Sequence, residues 1–478
     1  MIKIRGSCRK RNMIIASVIQ GGLNGSVGVA VVAARYGGIK SDKIRGKCSL
    51  SWWRKDKPMA NAQVTIPLGI PDVRVLETSM NERGEIIITI ESTQDGTRCR
   101  KCGKWITKLH GQDAWVTIRH LPVFGRASFL RYRPKRYQCQ ECESQPSTTQ
   151  QLEWHDSNSP HSFALDNHIL LQLVNSTVED VRIKEGLAYE NVEGTLERRI
   201  ATSPDWSGLA EIEVLGLDEI ALKKGHRDYV TLVTGRLGNG EIVILGVLPG
   251  HEKAGVVEFL RLIPLRILQS VQTVCCDLWE AYLEAVREEI PNARIVADRF
   301  HVARHYRDAA DELRKQELLR IKKTLSKEEY QKLNGSFRAF RKNARDLNKE
   351  ERKILRRFFE HSASAKQAYV LREQLTALFD MNLAKSQAQS KIQRWIEKVQ
   401  KSGLHCFDDF LKLLQTWWEE ITNYFIRREN SGFGEGFNNK VKVLKRRCYG
   451  IYNLQHLFQR IDLDLHGYRL FAATTIYA

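Results

Sequence analysis

Two Cys-x-x-Cys pairs constrain this chain more tightly than any other feature. Cys99-Arg-Lys-Cys102 and Cys139-Gln-Glu-Cys142 are separated by 36 residues. Each pair turns two thiolates to one side of a knuckle. Two knuckles supply the tetrahedral sulfur shell that Zn²⁺ prefers, with bonds of about 2.3 Å. The intervening stretches 114–119 and 128–133 read as strands, as a zinc ribbon requires. Neither pair opens a helix between two strands, which argues against redox chemistry. The remaining cysteines (Cys8, Cys48, Cys275, Cys276, Cys406 and Cys448) are scattered, so the sequence spells out one structural zinc site and no disulfide scaffold. A reducing cytoplasm fits that usage.

Charge points to the partner. The 478 residues suffice for about three domains at roughly 150 residues each. They carry 75 Lys plus Arg against 56 Asp plus Glu, a formal +19. A surplus of that size suggests a polyanion, with nucleic acid first and an anionic membrane second. Residues 1–58 hold 13 basic and 2 acidic side chains, so +11 of the surplus sits there and +8 in the rest. In this leader a basic start (Lys3, Arg5, Arg9, Lys10, Arg11) precedes an apolar run over 14–34, an imitation of a signal peptide or membrane span. Gln20, Asn24, Gly21, Gly22, Gly25 and Gly28 break the run, and no other stretch approaches the roughly 18 apolar residues of a spanning helix. A working start near Met59 and a disordered basic arm are the two readings of the leader; membrane association is not expected.

The organisation after the leader is a four-cysteine ribbon over 59–150, a helix-turn-helix over 151–205, a catalytic core over 206–305 and 429–478, and a helical insertion over 306–428. A Ser/Thr/Gln/Asn/Pro-rich stretch, 144–160, reads as a linker. Beside the second knuckle, Arg131-Tyr-Arg133-Pro-Lys135-Arg136 gives the ribbon a basic, aromatic face suited to phosphates. Helical periodicity over 164–174, 178–185 and 192–200, with a turn over 186–191, makes the last piece a recognition helix bearing Arg198 and Arg199.

From 212 to 298 the pattern is strand (212–222), strand (229–237), strand (241–248), helix (256–263), strand (273–277), helix (279–289), strand (293–298). That order is the order of an RNase H-like core. Asp218 lies within the first apolar strand and Asp277 ends the fourth, its neighbour in such a sheet. A carboxylate in an apolar strand is costly unless it is paired or bound to a cation, and converging carboxylates are what Mg²⁺ requires. Glu435 is the candidate third acid. On its helix Glu435, Asn439, Lys442 and Arg446 share one face, and Phe437, Val441, Leu444 and Cys448 form an apolar stripe opposite. Asp298 could replace or assist Asp277. His301 and His305 are spaced for zinc but lack a third ligand. Glu219 and Asp228 read as solvated, and Trp417 and Trp418 as core.

The ribbon, the helix-turn-helix, Leu217-Asp-Glu219, Cys276-Asp-Leu-Trp-Glu-Ala-Tyr282, Asp298-Arg-Phe-His301 and Glu435-Gly-Phe-Asn-Asn-Lys440 occur in that order. The combination resembles the bacterial insertion-sequence transposases of the ISL-three family over roughly residues 60–470. The resemblance implies a multidomain α+β chain in which Asp218, Asp277 and Glu435 are a DDE triad holding two Mg²⁺ ions, with Mn²⁺ as a possible substitute. It also implies terminal inverted repeats and target DNA as partners, a homo-oligomer on DNA, and no small-molecule substrate. It supplies no counterpart for residues 1–58. An RNase H-like nuclease would cut without joining strands, and a DNA-binding regulator would leave the three acids unexplained.

Overall fold

A computed structural model of the chain describes residues 14–21, 27–34, 67–222, 229–429, 432–448, 451 and 453–476; for 14–21, 27–34, 432–435, 438 and 473–476 it describes the backbone alone. Residues 1–68 form one unit and 69–478 another. In the first, β1 (Ile14–Gly21) and β2 (Val27–Ala34) pair antiparallel, so the Val- and Ile-rich run is extended.

The second unit begins with a β-rich module. Its strands are β3 (Val73–Met80), β4 (Ile86–Ser92), β5 (Thr97–Arg98), β6 (Trp105–Ile106), β7 (Leu109–Gln112), β8 (Val116–Val123), β9 (Arg126–Tyr132), β10 (Lys135–Gln138) and β11 (Ser147–Thr149). They form sheets ordered β3-β4-β9-β8, β11-β10-β7 and β5-β6. Period-two alternation buries Ile88 and Ile90 of β4 against Ser128, Leu130 and Tyr132 of β9. Residues 144–160, read as a linker, are instead partly built into this module. Trp154 is buried edge-on to Tyr132, and His155 Nδ1 lies 2.6 Å from the Tyr132 hydroxyl. A polar composition concealed two large rings that the module needs as core.

Three helices follow: α1 (Phe163–Leu173), α2 (Val178–Glu185) and α3 (Tyr189–Arg199). Ser162 and Thr177 cap the first two through their side chains, and Gly186 ends α2 at φ +60°. The α2–α3 turn is therefore three residues, shorter than the stretch 186–191, because Tyr189 already starts α3. Leu165, Ile169, Leu173, Val181, Val192 and Leu196 form the core of this unit.

The central sheet is built from β12 (Ile212–Ala221), β13 (Tyr229–Leu237), β14 (Ile242–Pro249), β15 (Thr273–Cys276) and β16 (Arg294–Ala297), in the order β14-β13-β12-β15-β16. The β12–β13 and β13–β14 pairs are antiparallel, and the β12–β15 and β15–β16 pairs are parallel. The crossovers use α4 (Lys253–Leu262), the short α5 (Leu265–Leu268) and α6 (Glu280–Glu289). Leu215 and Leu217 of β12 pack with Leu260 and Leu283 on the helix side of the sheet.

An array of helices then runs through α7 (Arg299–Lys322), α8 (Lys327–Gln331), α9 (Ser336–Arg341), α10 (Lys349–His361), α11 (Ala363–Asp380), α12 (Lys385–Ser402), α13 (Asp408–Thr416) and α14 (Trp418–Arg427). Its core, with Tyr306, Phe379, Trp395 and Tyr424, is continuous with Val214, Cys275 and Val296 of the sheet. Trp417 and Trp418 pack against that core, as their Leu-rich setting suggests. The chain closes with α15 (Gly432–Arg447) and α16 (Leu454–Ile476). Helix α16 lies against both β14 and α1. Its Arg460 donates to the carbonyls of Leu173 and Ser176 at 3.0 and 2.7 Å, which ties the three-helix unit to the sheet.

Candidate active site and metal centres

The cysteines come together as their spacing predicts. Each knuckle is the loop of a short hairpin: Cys99 and Cys102 lie between β5 and β6, and Cys139 and Cys142 between β10 and β11. Gly103, at φ +71°, closes the first turn and donates its N–H to the Cys99 carbonyl. All four sulfurs lie within 4.8 Å of one another, with Cys99–Cys142 at 4.0 Å and Cys102–Cys139 at 3.8 Å. A tetrahedron with bonds of about 2.3 Å has edges of about 3.8 Å, so the shell fits zinc. Backbone N–H groups of Cys102 and Lys101 aimed at Cys99 draw its thiol down to about 6, while burial pushes Cys142 up to about 12. A bound cation removes that second penalty.

The acidic site follows from register. Leu217 pairs with Cys276, and Cys276 with Ala297. The next residue along each is an aspartate, so Asp218 within β12 lies level with Asp277 and Asp298, which directly follow its parallel neighbours β15 and β16. Ligand atoms of Asp218, Asp277 and His301 lie within 4.8 Å of one another. Burial first, and then the charges of Asp218, Asp298 and Glu219, push the Asp277 carboxyl up to about 9. Asp298 serves the helix that follows: its Oδ1 accepts from the Phe300 N–H at 2.9 Å and caps α7.

Helix α15 lays its apolar stripe where the sequence puts it. Phe437, Val441 and Leu444 are buried against Ile220, Val230 and Leu232, while Asn439, Lys442 and Arg446 are exposed. The backbone of Glu435 lies in the first turn of that helix, and its side chain is outside the described residues. Asp228 also lies outside them.

Two family models match. A transposase model covers residues 215–461, more than half of the chain, and names the ISL3 type of DDE transposase. The chain belongs to the ISL3 family of DDE transposases. The second model, the zinc finger of the IS204/IS1001/IS1096/IS1165 transposases, covers residues 95–142 and so spans all four ligand cysteines. Among curated proteins, the chain is similar to the transposase of insertion sequence element IS1001 from Bordetella parapertussis. It is 26% identical to that protein over 384 residues, covering 80% of this chain and 91% of the relative. It is also 24% identical over 395 residues to the transposase of insertion sequence element IS1557 from Mycobacterium tuberculosis, covering 78% of this chain and 86% of the relative. This chain is accordingly a DNA-cleaving and DNA-transferring enzyme of mixed α/β, multidomain build with a structural zinc site.

The basic residues singled out in this transposase sit in three environments. Arg131 and Arg133 stack over Trp115, with guanidinium carbons 4.7 and 5.9 Å from its ring centre. Lys135 and Arg136 are tied into the ribbon itself: Lys135 donates to the Ser92 carbonyl at 2.7 Å, and Arg136 pairs with Asp113 at 3.3 Å. On α3, Arg199 lies over Phe163 at 4.6 Å, and Arg198 turns back toward the buried Asp166 at 3.9 Å.

His301, weighed in the sequence with His305 as a zinc pair, stands instead among the carboxylates. Its Nδ1 is 3.1 Å from Asp277 Oδ1. The neighbours that matter are the aspartates on the adjoining strands. Glu219, read as solvated, meets His251 Nδ1 at 2.8 Å, and Trp279 donates its indole N–H to the His251 carbonyl. No helix among the described residues is long and apolar enough to cross a membrane.

Proposed function

We propose that Asp218, Asp277 and Glu435 are the catalytic triad of this transposase, on a core of RNase H-like build. The observation that carries the reading is the adjacency of Asp218, within β12, and Asp277, at the end of β15. The order β14-β13-β12-β15-β16, three antiparallel strands followed by two parallel additions, supports the fold assignment. Along β12, Asp218 falls in the same alternating set as Val214 and Ile220, and Ile220 packs against α15, the helix that carries Glu435.

The donor set fits a divalent cation. Two carboxylates suit Mg²⁺, and the imidazole beside them is compatible with Mn²⁺ as well. Asp218, Asp277 and Glu435 would hold Mg²⁺, which when bound offsets charge on phosphate oxygens and makes water a stronger nucleophile. The chain's own groups do the rest. Asp277 gives up the proton that burial holds on its carboxyl, with His301 Nδ1 within reach of Oδ1. Lys442 and Arg446, exposed on α15, neutralise phosphates beside the scissile position. Water attacks phosphorus in line; the new O–P bond forms as the P–O3′ bond breaks and frees a 3′-hydroxyl. That hydroxyl attacks a second phosphodiester in the target and is joined to it.

Recognition of the terminal inverted repeats is assigned to the ribbon and to α1–α3 acting as a helix-turn-helix, with Arg131, Arg133, Lys135, Arg136, Arg198 and Arg199 as the phosphate- or base-facing set. Bringing two ends together calls for at least two copies on DNA, and the cytoplasm is the setting of that reaction. Strand transfer tests the function. With a pre-cut end bearing a 3′-hydroxyl, joining to target DNA is expected; cutting that never joins would reassign the chain as a nuclease.

A further inference from the structure

The helical array holds a second feature that the carboxylate cluster does not use. Helix α7 leaves the sheet at Asp298 and carries Phe300, Arg304 and Arg307 at i, i+4 and i+7, on one side of the helix. With Asp308, Phe340, Arg341 and Arg372 they line a cavity of about 190 Å³. Guanidinium groups gathered on one cavity repel one another and lose hydration, which an anion reverses.

The counter-charges present do not use all of this capacity. Arg341 pairs with Asp311 at 3.0 Å, and Arg304 makes an exposed pair with Asp308 at 3.5 Å. Arg372 is 1% exposed and spends its Nη atoms on the carbonyls of Phe340 and Lys342 and on Glu373, yet its Nε has no hydrogen-bond partner. The buried Nε of Arg307 has none either, and Arg307 has no ion-pair partner among the described residues. Arg307 therefore brings a guanidinium without a counter-charge to the cavity, and the guanidinium fork matches phosphate. Phe300, half-exposed at the cavity, offers a ring face to the sugar or base beside that phosphate.

Position identifies the source of the phosphate. From His301 to Arg307 is about 9 Å along the helix at about 1.5 Å per residue. That distance keeps the cavity within a few nucleotides of the carboxylates. Arg304, one turn from His301, is close enough for its charge to counter the upward push on Asp277.

We infer that this cavity receives a backbone phosphate of the strand being cut, within a few nucleotides of the scissile phosphorus, with Arg304 and Arg307 as its principal ligands. The inference rests on Asp218 and Asp277 being the cutting site.

The test uses the full chain, a duplex carrying the element's end, and single methylphosphonates that neutralise one phosphate at a time over the first four positions from the cut. Wild type is expected to lose cleavage by about tenfold for one of these positions. Arg307→Gln and Arg304→Gln are expected to lose about as much on unmodified DNA and to become indifferent to that methylphosphonate. Variants that remain as sensitive as wild type would overturn the inference. A binding arm is independent of cleavage. The slope of log affinity against log salt for the same duplex should fall in magnitude by about one for Arg307→Gln, and an unchanged slope overturns the inference even in a protein that cuts. If wild type does not cut, the triad reading fails, and the salt slope still decides the cavity. A third arm titrates inorganic phosphate: stabilisation of the protein equal to that given by the duplex would reassign the cavity to a free anion.

Discussion

His301 Nδ1 stands 3.1 Å from Asp277 Oδ1, across the junction between the end of β15 and the first turn of α7. The contact exists because Asp298 both ends β16 beside Asp277 and caps α7, which turns His301 back over the strand ends. His301 is thus placed to orient Asp277 and to exchange a proton with it. His301→Ala is expected to lower strand cleavage by roughly 10–100-fold, the usual cost of losing a group that orients a metal-binding carboxylate. The acidic limb of the pH–rate profile should move as well, while end binding stays within twofold. An unchanged rate and profile would remove His301 from the site.

The Asp277 carboxyl yields a stability prediction with a definite sign. Burial and neighbouring acids raise it to about 9, whereas an aspartate in the unfolded chain titrates near about 3.9. Between those values the folded chain holds a proton that the unfolded chain has released, so stability falls as pH rises from about 4 to 9. At pH 7 the penalty is on the order of a few kcal/mol. Asp277→Asn removes it: the metal-free variant should melt several degrees above wild type at pH 7–8, with a smaller gap at pH 5. Mg²⁺ should raise the melting temperature of wild type and leave the variant unmoved. Calorimetry at three pH values, with and without Mg²⁺, checks both parts.

Asp464 anchors a buried charge network that joins α16 to the rest of the chain. Its Oδ1 accepts from the Asn175 N–H at 2.9 Å, Arg447 donates to its Oδ2, and Arg460 lies 3.8 Å away. Asp464 and Arg460 are both buried. Asp464→Ala leaves two arginines without compensation and is expected to cost about 3–5 kcal/mol in urea unfolding. A loss under about 1 kcal/mol would mean that the network is not what holds the three-helix unit in place.

The zinc shell should matter for DNA and little for the catalytic core. The ribbon's small cluster of Cys99, Ile106, Tyr137 and Cys139 is separate from the clusters that surround the sheet. Cys139→Ser is expected to release the zinc of the wild-type protein, assayed by a metallochromic dye, and to weaken end binding at least tenfold while far-UV helicity is retained. Loss of helicity in step with zinc would show that the two modules fold together.

Helix α15 separates two roles by face. Leu444→Ala, under the sheet, is expected to cost about 2–5 kcal/mol. Lys442→Ala, on the exposed face, should leave stability within about 0.5 kcal/mol. Its effect should be on DNA, with uniform weakening and a salt slope smaller by about one. Equal effects of the two substitutions on stability would contradict the packing.

Much of this arrangement is legible in the sequence because it depends on short-range rules. Cys-x-x-Cys spacing dictates knuckles, the apolar run around Asp218 dictates a buried strand, and the 3.6-residue period of α15 separates Phe437, Val441 and Leu444 from Asn439, Lys442 and Arg446. What escaped depends on register and on partners distant in sequence. His301 joins Asp277 only because β15 and β16 end level, a consequence of the pair Cys276–Ala297. Trp154 is core although its neighbours are polar, since Tyr132, far off along the chain, supplies the contact. Likewise the packing of the helical insertion read over 306–428 is not written in its sequence: Tyr306 and Trp395 share one continuous core with Val214 and Val296.

If Asp218 and Asp277 form one metal-binding cutting site, removing either charge must stop the cut without loosening the grip on DNA. Single-turnover cleavage of a labelled duplex carrying the element's end, with Mg²⁺, measures this for wild type and Asp218→Asn alongside a gel-shift of the same duplex. Asp218→Asn is expected to bind the end like wild type and to cut at least about a thousandfold more slowly, on the order of the loss for a group that stabilises the transition state. Cutting by Asp218→Asn at the wild-type rate would refute the shared site.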